Sequence, residues 1–152
     1  MMATVQDLSF VDALADRLSR LTPDRQRVWG TMTPHEMLCH LSDSFHGMLG
    51  ERPVSSGNWS LLRRRVFKWI ALHTQLPWPK GIDTRPEVNP HRTGTKPVEF
   101  ERDRAELLAV MRRFAAPGSL YVPHPMFGEM TREEWMIWTF RHVDHHLRQF
   151  GQ

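Results

Sequence analysis

The run Trp135-Met136-Ile137-Trp138-Thr139-Phe140-Arg141-His142-Val143-Asp144-His145-His146-Leu147-Arg148-Gln149 decides the fold. Thr131 ahead of it has the chemistry of an N-cap and Glu134 stands at the capping-box position, so a helix is predicted from there to about Phe150. Its inward line is Trp135, Trp138, His142, His145, His146 and Gln149, while Arg132, Arg141, Asp144 and Arg148 fall on other faces. The histidines continue a tryptophan stripe. His142 and His146 are a little over one helical turn apart, so their rings project in nearly the same direction, about 6 Å apart along the axis. Two imidazoles so spaced can grip one metal ion.

A third donor must come from another segment. His40 lies in a matching setting, Pro34-His35-Glu36-Met37-Leu38-Cys39-His40-Leu41-Ser42-Asp43, a second amphipathic helical pattern far away in sequence. Three neutral imidazoles around a divalent cation leave coordination positions open, which is the arrangement of a catalytic rather than a structural site. On a buried face, uncompensated ring nitrogens would each cost about 1–3 kcal/mol, and a metal satisfies them together.

Working outward, Leu8, Val11, Leu14, Ala15 and Leu18 recur at helical spacing and predict a first helix of about four turns, broken at Thr22-Pro23-Asp24. Thr33 reads as an N-cap with Pro34 at the first helical position and Glu36 completing a capping box, so a second helix runs from Pro34 to about Leu49. Trp59, Leu62, Val66, Trp69, Ile70, His73 and Leu76 step by threes and fours and predict a third, ended by Pro77 and Pro79. The Pro, Gly and charge rich stretch from there to about Val98 reads as coil, too long for a simple connection and therefore pinned to the surface or functional. Phe100, Leu107, Val110, Met111 and Phe114 form a fourth stripe, ended by Pro117-Gly118. No strand-like alternation survives beside these patterns. The fold class is all-α: a four-helix bundle with a long crossover carrying an extra helix, residues 1–152 forming one domain.

Composition bounds the function classes. A chain of 152 residues buries roughly two-thirds of the surface its unfolded form exposes. The single cysteine, Cys39, excludes an internal disulfide, no apolar run is long enough to span a bilayer, and Met1 to Phe10 lack the basic and apolar regions of a signal peptide. A cytoplasmic protein without a membrane partner is the expectation. Net charge is +3, and the densest basic run, Arg63-Arg64-Arg65, lies in a helical pattern whose apolar face is elsewhere, so it reads as a solvated face and a nucleic-acid partner is not expected.

The other polar groups near the proposed site have narrower roles. His145 is rotated away from His142 and suits a supporting or capping donor, His46 falls on another face from His40, and His35, His73, His91 and His124 have no partner at ligand spacing. Glu36 and Asp43 lie about one turn on either side of His40. Either carboxylate can orient a ligand imidazole or accept a proton; Glu36 reads better as the capping residue, and Asp43 stays open between those roles and solvated surface. Trp135 and Trp138 serve as core and can also wall an apolar small-molecule cavity.

Two segments carry a resemblance to a known family. Trp29-Gly30-Thr31-Met32-Thr33-Pro34-His35-Glu36-Met37-Leu38-Cys39-His40-Leu41-Ser42-Asp43-Ser44 resembles the His-Leu-x-Asp-Ser-like stretch of the DinB-like (DinB/YfiT-like) superfamily, and His142-Val143-Asp144-His145-His146-Leu147-Arg148-Gln149 resembles its His-x-x-His-His-x-x-Gln signature. The chain departs at Leu147-Arg148, where many relatives have Arg-Gly. The resemblance implies a four-helix bundle with a long crossover between its second and third helices, and metal ligands at His40, His142 and His146, the three that spacing selects. It also implies a metal-dependent activity, in several relatives a transferase using a low-molecular-weight thiol. A divalent ion, zinc or nickel foremost, would lower the pKa of a bound thiol or water. The leading expectation is therefore a metal-dependent S-transferase acting on a small-molecule substrate, with a metal-dependent hydrolase as the alternative. A nucleic-acid-binding module and a catalytically silent bundle that forms a homodimer are the competing classes.

Overall fold

Two capping boxes set the frame. In the computed structural model, which describes residues 5–152 and side chains from Ser9 onward, the Thr33 hydroxyl accepts from the Glu36 amide while Glu36 accepts from the Thr33 amide, and Thr131 and Glu134 repeat the exchange. Each box satisfies two amides left open at a helix start. They open helices α2 (Pro34–Met48) and α5 (Arg132–Arg148). Helix α1 spans Val5–Ser19, α3 spans Leu61–His73 and α4 spans Phe100–Ala115. The place of Leu8 in the first stripe, and the start of the chain before Val5, lie outside what the structure describes.

The protein is all-α, and the four longest helices form the bundle while α3 sits in the crossover between α2 and α4. Helix α4 packs on α2 and α1, α5 packs on α1 and α3, and the core between them holds Leu14, Leu18, Leu38, Phe45, Phe114 and Trp135. Along α5 the deepest line is Trp135, Thr139, Val143, His146 and Leu147, while Trp138, His142 and His145 are half-buried along its crossover edge. That edge is where the histidines meet the rest of the chain.

Helix α3 departs from its prediction at both ends and in its facing. Ser60 caps it, which leaves Trp59 outside, and Thr74 in extended backbone ends it before Pro77. Leu72 is its one buried residue, and the predicted apolar stripe faces solvent. The arginine run is only partly solvated: Arg64 turns inward and donates to the Trp59 and Gly57 carbonyls, while Arg63 and Arg65 are exposed.

The stretch expected as coil contains one short 3-10 turn, Pro86–Val88, which packs against α2. Asp43 holds this stretch down. Its carboxylate accepts from the Thr95 amide and hydroxyl, both at 2.7 Å, and pairs with Arg52 at 3.0 Å. Arg52 in turn donates to the carbonyls of Glu87 and Thr93. The long crossover is thereby pinned on the helix that carries His40.

Candidate metal centre

His40, on the buried face of α2, points across the bundle at the α5 edge. Its Nε2 lies 3.1 Å from Nε2 of His146 and 3.3 Å from Nε2 of His142. One ligand nitrogen from each of the three rings lies within 4.8 Å of the others. The spacing that selected them in the sequence brings them to one point.

Hydrogen bonds on the far side of two rings fix which nitrogen is bare. His40 Nδ1 lies 2.7 Å from the Val88 carbonyl, and a carbonyl only accepts, so this nitrogen carries the proton. His146 Nδ1 lies 2.8 Å from Gln149 Oε1 and by the same reasoning donates to it. In the neutral rings both Nε2 atoms are then lone-pair acceptors facing each other with no proton between them. Burial pushes the pKa of His40 down and those of His142 and His146 well below the usual imidazole range, with the neighbouring histidines adding to the effect. Protonation therefore does not relieve the contact at neutral pH. A cation does.

The dimensions fit one. Two donors held about 2.05 Å from a tetrahedral ion stand about 3.3 Å apart, which matches the measured 3.1 and 3.3 Å. His142 differs from the other two rings: its Nδ1 is buried without a hydrogen-bond partner, so no far-side bond sets its tautomer, and it joins the cluster through Nε2. This buried cluster could hold a metal ion through three neutral imidazoles.

The supports come from segments that sequence reasoning did not assign to the site. Val88 sits in the crossover turn and orients His40 through its backbone. Gln149 has room to reach His146 because residue 30 is glycine: a Cβ there would lie 2.8 Å from the Gln149 amide nitrogen, and its φ of +90° favours glycine as well. Tilted and stacked rings wall the centre, with Trp138 at 4.5 Å and Trp78 at 6.1 Å from His142. The indole nitrogen of Trp78 is buried without a partner. Arg141 lies over Trp78 and donates to the carbonyls of Ala71, Thr74 and Leu76, tying the end of α3 and the Trp78 segment to the helix that carries two of the histidines.

Other expectations resolve individually. His145 packs edge-on against Trp29 at 4.8 Å and near Trp78, as a wall rather than a member of the cluster. Glu36 is the capping residue and also meets His91 at 3.0 Å. Asp43 is buried, makes no hydrogen bond to the three rings, and acts on the crossover through Thr95 and Arg52. His46 pairs with Glu51 and Glu106 at the surface. His124 is buried with its Nδ1 accepting from the amides of Met126 and Phe127, and burial pushes its pKa down to about 3.

The reading that His35 lacks a partner at ligand spacing needs correction. Cys39 is one turn on, and both meet Asp103 of α4, the imidazole at 2.6 Å and the thiol at 3.8 Å. The His35–Asp103 pair fastens the start of α2 to the start of α4. Burial and the Asp103 charge push the Cys39 thiol up to about 12, so it stays protonated. Beside it, about a quarter turn round α2 from His40, a cavity of about 340 Å³ is lined by Cys39, Ser42, Asp43, His46, Arg52 and Asp103 among others. The carboxylates lining that cavity are paired, Asp43 with Arg52, Asp103 with His35 and Glu51 with Arg113. The facing lone pairs are those of His40 and His146, with His142 beside them.

A family model described as "Protein of unknown function (DUF1569)" matches residues 4–152. No curated protein and no solved structure matches the chain.

Proposed function

The chain belongs to the DUF1569 family, and from that starting point we propose that it is a metal-dependent enzyme that transfers a low-molecular-weight thiol to a small electrophilic substrate. The observation that carries this reading is the convergence of the Nε2 atoms of His40, His142 and His146, two of them, on His40 and His146, left without a proton by the bonds their Nδ1 atoms make. Zinc and nickel both suit an all-imidazole donor set. When bound, such an ion supplies Lewis acidity that lowers the pKa of a thiol or water sharing its open face. The reaction class rests on the resemblance of the His40 and His142–Gln149 segments to the DinB-like superfamily.

The residues divide the work. His40, His142 and His146 hold the ion, and Val88 and Gln149 keep two of the rings in the tautomer that presents Nε2. Trp78 and Trp138 exclude water from one side and offer an apolar wall to the electrophile. The unpartnered Trp78 indole N–H is a donor available to a substrate oxygen. Cys39, the only cysteine, is held as a neutral thiol facing Asp103, so the reacting sulfur is supplied from outside the chain.

The test loads metal-free protein with zinc or nickel and supplies a panel of small thiols with electrophilic partners, following thiol consumption. Turnover in wild type and Cys39→Ser, lost in His146→Ala, is the expected result. No thiol consumption by metal-loaded wild type across the panel contradicts the transferase reading. Turnover of ester or amide substrates without any thiol would reassign the site to hydrolysis.

A further inference from the structure

Helix α3 is amphipathic the wrong way round for a helix covering a core. At about 100° per residue, Leu62, Val66, Trp69 and Ile70 share one face, and Arg64, Lys68, Ala71 and Leu72 share the opposite one. The apolar face is outward: Leu62 is 73%, Val66 46% and Trp69 60% exposed, whereas Leu72 is 6% exposed. The polar face is inward, where Arg64 caps carbonyls and Lys68 pairs with Glu134 at 2.7 Å. Leu76 and Ile82, just beyond the helix, are exposed too. Nothing in the described chain covers this face.

Charge identifies what does. Between Glu51 and Asp83 stand Arg52, Arg63, Arg64, Arg65, Lys68 and Lys80 and no acidic residue, twice the net +3 of the whole chain. Arg63 and Arg65 flank the outward apolar stripe on its two sides. Arg65 has no partner among the described residues, and Arg63 touches only the rings of Trp59 and Phe67. A symmetric pairing of two α3 faces would set these arginines against their equivalents with no acidic side chain on either helix to offset them. An apolar stripe with tryptophan, bordered by arginines long enough to reach phosphates, matches a helix lying in the headgroup layer of an anionic bilayer.

We propose that α3 docks this protein, flat and reversibly, on anionic lipid surfaces. No described helix is long and apolar enough to cross a membrane, and the 13 residues of α3 extend about 20 Å against about 30 Å of hydrocarbon. Apolar side chains enter the acyl boundary while Arg63 and Arg65 meet lipid phosphates. The docked face is the outer surface of the crossover whose continuation carries Trp78 and Val88.

Flotation of the full chain with vesicles of phosphatidylcholine alone, or of phosphatidylcholine mixed with phosphatidylglycerol, tests this. Binding to the mixed vesicles that weakens with added salt, and little binding to phosphatidylcholine alone, is expected. Arg63→Gln with Arg65→Gln should lower partitioning about thirtyfold, from about fivefold per cation. Leu62→Ser with Trp69→Ser, both at exposed positions, should lower it by about tenfold or more with the helical circular dichroism unchanged. No flotation with the mixed vesicles at low salt, or equal flotation of both variants and wild type, overturns the proposal. So does a wild-type dimer that Leu62→Ser with Trp69→Ser converts to monomer, which would give this face to a second copy.

Discussion

Replacing Gln149 with leucine should weaken zinc binding by about 10- to 100-fold while leaving the metal-free fold nearly as stable. In wild type the Gln149 carbonyl oxygen holds the proton of His146 on Nδ1, at 2.8 Å, and so keeps Nε2 bare. Leucine offers no acceptor, and a buried N–H without one costs about 1–3 kcal/mol. The ring escapes that cost by moving its proton to Nε2, where His40 Nε2 waits 3.1 Å away to accept it. The metal-free protein is then satisfied, but binding must reverse the tautomer and restore the orphaned N–H. That restored penalty of about 1–3 kcal/mol corresponds to roughly 5- to 150-fold, which brackets the range typical of such supporting partners. Gly30→Ala should act through the same contact, because its Cβ would displace the Gln149 amide it approaches to 2.8 Å. The double variant should therefore be little weaker than Gln149→Leu alone. Zinc titration in competition with a chromophoric chelator reads all four proteins. An affinity for Gln149→Leu within about twofold of wild type, or strict additivity with Gly30→Ala, would refute the tautomer argument.

Further outcomes follow from burial and charge. Trp135→Ala, which empties a site packed against Phe114, Tyr121 and Trp138, should cost about 3–5 kcal/mol in urea unfolding. Asp43→Ala should cost about 2–3 kcal/mol, discounted because Arg52 is partly exposed, and should speed proteolysis between residues 75 and 98 as the crossover loosens. Acid should destabilise the metal-free protein. His124 has a folded pKa of about 3, below its unfolded value, so between about pH 6.5 and 3 the unfolded chain binds the extra proton and stability falls by about 1.4 kcal/mol per pH unit from this residue alone. His40, His142 and His146 shift in the same direction and steepen the fall, and a flat stability profile from pH 7 to 5 would contradict their burial as neutral rings.

The features legible in the sequence are those written in local spacing. Thr33 with Glu36 and Thr131 with Glu134 announce two helix starts because a capping box is a three-residue device, and both form as read. His142 and His146 announce a shared direction because helical geometry fixes it, and His40 joins them. His35 with Cys39 carries the same spacing signal, but only the fold supplies Asp103 as their common partner. The Val88 carbonyl has no signature, because every residue has one and only tertiary structure aims it at His40. Asp43 finds Thr95 across 52 residues of chain, a contact that no local pattern encodes. The facing of α3 was hidden for a different reason. Periodicity says that Leu62, Val66 and Trp69 share a side, and it is silent on whether that side meets protein or solvent.

If the proposal holds, one ion is shared between two helices distant in sequence, α2 and α5. Equilibrium dialysis of zinc against metal-free wild type and His40→Ala separates the two helices' contributions, because His40 alone comes from α2. One tightly held ion per chain is expected in wild type and none in the variant, with both proteins folded. No stoichiometric zinc in wild type, or equal retention by His40→Ala, would contradict it.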